Sequence, residues 1–437
     1  MLKKIKILGL FGKFDYDIEL KEEGLTILTG PNGYGKTTIL KIIHAVTSNS
    51  MAPFFSFSFN EIHLTMDNGE VKNKKKELSL SKNYEIKIVS VNDDLQVQLN
   101  NEKPVLHRKK HLLKQIIEGS HNRMMRYRPV DEKHLLDRET GTIFLVENLI
   151  EQLISENSLE MEGLKLFPNS VSLSSNTYFI REQRLVKYSN LVKKSRRPYH
   201  DEDNFREVVS VIEDYAREMS EKIEKTMAKA SQVGQELDSS FPRRLFEEKG
   251  AIEESEFDER YRAIKEKQSA LTLYGLSNTE EENRTSFSPE NAKALLVYLN
   301  DMEKKLAVFD DILSKIKAFS SILNDRNFVF KQIEISAEHG FIFKTDEGKK
   351  LSLSSLSSGE QQQTVLLYEL LFRVPENALV LIDEPEISLH VAWQKEIIND
   401  LLEIIRLKKI NVITATHSPQ VIGEHWDLVV DLWKISQ

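Results

Sequence analysis

The sequence contains no cysteine, which excludes disulfides and thiolate-held metals as sources of stability and fits a reducing cytoplasm. It also lacks any apolar run of membrane-spanning length. The opening MLKKIKILGLF has a basic start and a short apolar stretch soon interrupted by charge, so a soluble, cytoplasmic protein with no membrane association is expected. Positive charge is not in excess: Lys and Arg total 60 against 68 Asp and Glu, for a formal net charge of -8, and the molecule as a whole is no magnet for nucleic acid. Local basic runs remain at 72–76 (KNKKK), 108–114 (RKKHLLK) and 193–197 (KKSRR). They read first as solvated loops, with contact to phosphodiester or an acidic partner as the alternative. No zinc-type His and Cys array, no HExxH and no additional carboxylate domain after the last strand is found, so no nuclease chemistry is expected in this chain. What is present is 437 residues, 40% of them hydrophobic, enough for two or three compact units with their own cores.

The chain opens with three strand-like pieces, KIKILGLF, FDYDIEL and LTILTG, the third running through glycines into an apolar helix, TTILKIIHAV. From Glu61 to Leu99 apolar and polar residues alternate in several short pieces, which predicts an antiparallel sheet packed on the first unit. A helical HLLKQIIEG and a strand-like NTYFIREQRL follow. Between Leu191 and Leu323 charge density rises and glycine thins out, and three helical patterns succeed one another. In the last, Leu299, Met302, Leu306, Phe309, Leu313 and Ile316 keep a heptad-like seam. Helices of about 20 to 35 residues, or about 30 to 50 Å, make stubby hairpins and no long coiled-coil arm. The strands FKQIEISAE and GFIFKTD come next, and ALVLI and NVITATH read as parallel strands covered on both faces. The expected domains are 1–190, an N-terminal lobe; 191–325, a helical insertion; and 326–437, a C-terminal lobe.

Three stretches carry chemistry on their own residues. GPNGYGKT, from Gly30 to Thr37, satisfies the phosphate-loop pattern and lies between a strand and a helix, as that loop requires. Its glycines let the backbone wrap a phosphate chain. The N–H groups from Asn32 to Thr37 face the phosphates, the Lys36 ammonium bridges the β and γ positions, and the Thr37 hydroxyl ligates magnesium. Gly30, Pro31, Asn32, Gly33, Tyr34, Gly35, Lys36, Thr37 and Thr38 are thus the candidate ATP-binding residues. LVLIDEP delivers Asp383 and Glu384 at the carboxyl end of a buried strand, where ligands of open parallel sheets bind. Asp383 is the candidate magnesium ligand, and Glu384 orients or deprotonates the attacking water. ITATHSP ends another such strand in His417, which is placed to donate to the γ-phosphate. A fourth stretch, SSLSSGEQQQ, feeds a helix whose first turn suits an anion.

The phosphate loop, LSSGEQ, LIDEPEISLH and ATHSP, in this order, resemble the ATP-binding-cassette (ABC) ATPases, in particular the soluble branch of Rad50, SMC, RecF and OLD-type proteins. The resemblance covers about residues 1–100 and 326–437, with Asn176–Leu185 between them. It implies an α/β fold, an ABC-type P-loop ATPase with an antiparallel β subdomain and a helical, short coiled-coil-like insertion. It further implies that Ser357 and Gly359 touch the γ-phosphate of ATP held by another subunit in a head-to-head homodimer. Gln183 is similar in position to the family's magnesium-contacting glutamine, and Ser388, Leu389 and His390 to its coupling loop. Ser358 stands where a glycine is common and Glu360 where transporters carry glutamine. Phe11 and Phe14 are candidates for stacking on adenine, with a core role as the alternative.

LDSSFPRRLF, EPEISLHVAWQ and the region around the fourth stretch resemble ATPases of bacterial anti-phage systems, those of PARIS first and Septu second. That implies a homo-oligomeric scaffold holding a separate Toprim-type effector nuclease and releasing it when a phage trigger protein is sensed. A DNA-repair ATPase of the RecF or Rad50 kind, binding DNA directly, is the alternative. A transporter motor is disfavoured by the roughly 130 helical residues that split the two lobes, since such a motor needs an uninterrupted helical lobe to grip a membrane partner.

Overall fold

A computed structural model describes residues 2–67, 72–73, 83–92, 94–100, 102–108, 126–130, 134–138, 141–145, 165–167, 171–172, 176–181, 185–188, 208–277, 286–325 and 330–436. They form two compact units, one from Met1–Gln183 together with Val374–Gln437, the other from Arg184–Arg373. No helix among the described residues is long and apolar enough to cross a membrane.

The first unit is built on a five-stranded parallel sheet in the order Thr177–Ile180, Leu379–Asp383, Asn411–Ala415, Leu25–Thr29, Val429–Asp431. The strand Leu379–Asp383 is buried at all five positions, as a continuous apolar run covered on both faces must be. Parallel register places Asp383 opposite Ala415, and Ala415 opposite Leu28. The carboxyl ends of three strands therefore share one edge, the edge at which such sheets bind ligands.

The helix Lys36–Thr47 follows the strand Leu25–Thr29 and buries Ile39, Leu40, Ile42, Ile43 and Val46. These residues join one core with Leu381 and Ile413 of the parallel sheet and with Ile7, Ile62 and Ile86 of a second sheet. That second sheet is antiparallel, six-stranded, in the order Phe14–Glu19, Leu2–Leu10, Glu61–Asp67, Asn83–Val91, Asp94–Leu99, Val105–His107. Along Glu61–Asp67 every second residue is buried, the period of a strand with one face on the core. The first two strands of the chain thus pair with this sheet, and the third crosses to the parallel one. NTYFIREQRL supplies the edge strand Thr177–Ile180; HLLKQIIEG lies outside the described residues.

The second unit includes the helices Val211–Glu247, with 37 residues, Glu254–Leu273, Ala292–Ala307 and Asp310–Asp325. The seam from Leu299 to Ile316 is split between the last two. The first of them ends at Ala307, and the next starts with Asp310 and Asp311, acids that the positive end of a helix favours. Of the seam residues, Leu299, Leu306, Phe309, Leu313 and Ile316 are nonetheless buried, and Met302 is half-buried.

A hairpin, Lys331–Ser336 with Gly340–Thr345, packs on this helical group. Gly340 makes the approach feasible: it has φ 68°, and a Cβ there would lie 1.8 Å from the carbonyl oxygen of Ala216. The helix Ser358–Tyr368 continues into a π-helical turn, Glu369–Arg373. Arg373 donates to the Tyr215 hydroxyl at 2.9 Å, and that hydroxyl is bonded to Glu369. The widened turn is thereby fixed to the long helix.

Candidate functional site

Where the strand Leu25–Thr29 ends, the chain turns through Gly30, Gly33 and Gly35 at φ 144°, 88° and 83°, a region that side chains rarely enter. Gly35 is doubly constrained, since a Cβ would meet Leu10 Cδ2 at 2.8 Å. Pro31, Asn32 and Gly33 are exposed at the tip. Lys36 closes the loop beneath them, Nζ donating to Gly30 O at 2.9 Å and to Pro31 O at 3.4 Å. Tyr34 anchors the loop instead of facing outward: its carbonyl accepts from the Tyr16 hydroxyl at 2.7 Å, and its ring lies 4.9 Å from that of Phe14. The helix Lys36–Thr47 starts without a side-chain cap and without an acid of its own in the first turn, so its N-terminal N–H groups and dipole are suited to an anion. Thr38 is half-buried in that first turn.

Thr37 Oγ1 donates to Asp383 Oδ1 at 3.0 Å, which brings together two of the three expected magnesium contacts from positions 346 residues apart. Glu384 follows at φ 48°, a left-handed conformation costing about 1–2 kcal/mol for a side-chain-bearing residue. Its N–H donates to Ala415 O at 3.0 Å. The turn carries its carboxylate to His417, with Oε2 and Nδ1 2.7 Å apart. Glu384 is mostly shielded and His417 is 58% exposed, so the pair has a covered carboxylate and an open imidazole.

Glu386 is a functional candidate that sequence reasoning missed. It is buried, accepts from the Thr416 hydroxyl through one oxygen, and its other oxygen has no hydrogen-bond partner among the described residues. Burial pushes its carboxyl up to about 7, against the pull of Thr416 and with help from the Glu384 charge. The donor atoms of Glu384, Glu386 and His417 all lie within 4.8 Å of one another. A buried acid raised in this way takes up a proton more readily than an ordinary carboxyl, which suits it to proton exchange with its neighbours. The signal was the third acid of DEPE, which nothing in the local pattern marks as buried until Thr416 is seen to cover it.

In the second unit Ser357 is the N-cap of the helix Ser358–Tyr368 and forms a capping box with Glu360. Ser357 is exposed, whereas Gly359 and Glu360 are buried. Ser388 is left-handed at φ 60°, Leu389 is buried, and His390 caps the short helix Val391–Gln394. Gln183 lies outside the described residues, as do 74–76, 109–114 and 193–197 of the basic runs. Of the two adenine candidates, Phe14 packs against Tyr16 and Tyr34. Phe11 is 36% exposed and its ring edges the Gly35 position.

One titration follows from the loop's helix. His44 is half-buried with Nδ1 shut from solvent and without a partner among the described residues, and burial followed by the charge of Arg181 lowers it from the ordinary 6.5 to about 4. A histidine depressed on folding leaves stability intact above its unfolded value and removes it as pH falls. Between pH 6.5 and 4 the loss attributable to His44 should approach about 3 kcal/mol. Urea unfolding at pH 7 and pH 5 should show His44→Leu losing less stability on acidification than the parent. An identical loss in both would assign the acid sensitivity elsewhere.

The family AAA_15, AAA ATPase domain, matches residues 1–422. No curated protein matches. Among solved structures, an SMC head bound to the C-terminal winged-helix domain of ScpA is 11% identical, covering 97% of this chain and 91% of that one at TM-score 0.40. The SMC head domain from Thermotoga maritima is 12% identical, covering 96% and 90% at TM-score 0.36. With nearly the whole length matched by the family, the chain belongs to the AAA ATPase domain family AAA_15.

Proposed function

We propose that this ATPase-domain chain binds MgATP on its phosphate loop and hydrolyses it to ADP and phosphate in an ABC-type site that a second copy completes. The observation that carries the reading is the pairing of Thr37 with Asp383 at 3.0 Å beside the pairing of Glu384 with His417 at 2.7 Å, on adjoining strand ends. These residues fit a magnesium–triphosphate: an uncapped helix start, a lysine already bonded to loop oxygens, and a hydroxyl and a carboxylate in contact. Magnesium, when bound, screens the phosphate charge, and Thr37 and Asp383 would hold it, with Gln183 proposed as a further contact. Lys36 exchanges the Gly30 and Pro31 carbonyls for β- and γ-phosphate oxygens. Glu384 takes the proton of the water that attacks the γ-phosphorus as the bond to the β-phosphate oxygen breaks. Protonated on both ring nitrogens, His417 would hold the Glu384 carboxylate through Nδ1 and donate through Nε2 to the departing γ-phosphoryl oxygens. Phe11, open and next to the loop, stacks on the adenine.

Ser357 and Gly359 of the second copy supply the remaining γ-phosphate contacts, and binding energy then becomes a change of association state. In this reading 1–190 and 326–437 are the two lobes of the ATPase and 191–325 is its helical insertion. Ser357→Arg tests the shared site. Each monomer should retain its affinity for ATP, measured by fluorescent-nucleotide titration, while steady-state hydrolysis falls at least about a hundredfold, because the arginine replaces the serine contact to the γ-phosphate in the site it enters. Hydrolysis at the parental rate would mean that one chain holds the whole site.

The finer reading assigns this switch to anti-phage defence, as the scaffold of a separate Toprim-type nuclease released on sensing a phage protein. Its support is the resemblance of the signature region, LDSSFPRRLF and EPEISLHVAWQ to the PARIS ATPase, together with the lack of any nuclease motif in this chain.

A further inference from the structure

The signature helix carries a feature that an anion site ought to avoid. Glu360 is the third residue of Ser358–Tyr368, buried, with its carboxylate folded back over the helix start. Its Oε2 accepts from the Ser357 N–H at 2.8 Å and from the Ser357 hydroxyl at 3.0 Å. A fixed negative charge at this end repels the phosphate that the dipole attracts. The Ser357 hydroxyl, the group meant for the phosphate, is also occupied.

Lys331, 29 residues earlier at the start of the strand Lys331–Ser336, answers both difficulties. Its ammonium donates to Glu360 Oε1 at 2.7 Å and to Oε2 at 2.9 Å. Both oxygens are thus satisfied by a cation, and Oε2 keeps two donors if the serine hydroxyl swings away. Burial works against the ionised form, yet Lys331 and the Ser357 donors hold the Glu360 carboxyl below the usual carboxylate range. The carboxylate therefore stays charged, and its charge is cancelled locally. Lys331 has 26% of its side chain exposed and Glu360 only 7%, so the cation lies on the solvent side of the acid.

We propose that Lys331 is a positioning residue of the signature: it neutralises Glu360 and holds it in place, freeing the Ser357 hydroxyl for the γ-phosphate of nucleotide bound to a second copy. This rests on the shared-site reading above. In LSSGEQ a glutamate replaces the neutral glutamine of transporters, and Lys331 makes that replacement compatible with an anion.

The experiment uses the full chain with MgATP, at a temperature well below melting, and follows phosphate release and ATP-dependent association by light scattering. Lys331→Met should lower kcat and the dimer association constant about tenfold or more, with little change in KM, because it exposes an incoming phosphate to the Glu360 charge. Glu360→Gln removes that charge. In the Glu360→Gln background, Lys331→Met should therefore change turnover by less than about threefold, and this comparison remains available if Lys331→Met alone folds poorly. Parental turnover and association in Lys331→Met would overturn the proposal. So would a tenfold loss from Lys331→Met in the Glu360→Gln background, which would mark the lysine as structural only. Absence of ATP-dependent association in the parent itself would instead remove the shared-site reading on which the proposal stands.

Discussion

Glu384→Gln should bind MgATP as tightly as the parent and hydrolyse it at least about a hundredfold more slowly, the contribution usual for a positioned general base. The substitution keeps the shape of the side chain and removes only its basicity. It leaves the backbone bond from Glu384 N to Ala415 O, and with it the left-handed turn that points the side chain at His417. Nothing in the phosphate loop is touched, so binding should survive. Because closure precedes chemistry in the proposed cycle, the variant should accumulate as dimers with ATP and not with ADP, seen by size-exclusion chromatography with light scattering. Single-turnover phosphate release equal to the parent's would take Glu384 out of the mechanism and leave Glu386 or His417 as the base.

Lys36→Ala should lose nucleotide binding by at least about a hundredfold, since two charge-assisted hydrogen bonds to phosphate are removed at once. Lys36 is 7% exposed with its ammonium already desolvated by the loop carbonyls, so little further dehydration opposes its exchange onto phosphate oxygens. The fold should persist, because the glycine conformations and the packing of Ile39, Leu40 and Ile43 do not depend on the ammonium. Isothermal titration with ATP in magnesium, alongside a melting curve, separates the two effects. Unchanged affinity in a folded variant would make the loop a turn and no more.

The parts of this site legible in the sequence are those fixed by local backbone demands. Gly30, Gly33 and Gly35 announce left-handed turns that few other residues tolerate, and Leu379–Asp383 announces a strand buried on both faces because no polar residue interrupts it before Asp383. The alternation in Glu61–Asp67 likewise predicts a one-sided sheet. What local pattern does not encode is pairing. Phe14–Glu19 alternates and Leu25–Thr29 is almost continuously buried, but neither pattern names its neighbours, and only the fold shows that Leu2–Leu10 and Phe14–Glu19 join the antiparallel sheet while Leu25–Thr29 crosses to the parallel one.

The heptad spacing from Leu299 to Ile316 is real as burial and misleading as geometry, since Asp310 and Asp311 start a new helix within it. Glu386 and Lys331 were invisible for a related reason. Each acquires its meaning from a partner about thirty residues away, Thr416 in one case and Glu360 in the other. Composition shows an acid and a lysine; only the fold shows which charge is buried and which cation meets it.

The central claim is that each nucleotide is gripped by the phosphate loop of one copy and the signature serine of another. Mixing Lys36→Ala with Ser357→Arg, each inactive alone, tests it directly, because a mixed dimer contains one site with both an intact loop and an intact signature. Hydrolysis in the equimolar mixture should rise to about a quarter of the parental rate if subunits exchange at random and sites act independently. A mixture that stays as inactive as its components, after exchange has been verified, would contradict the account.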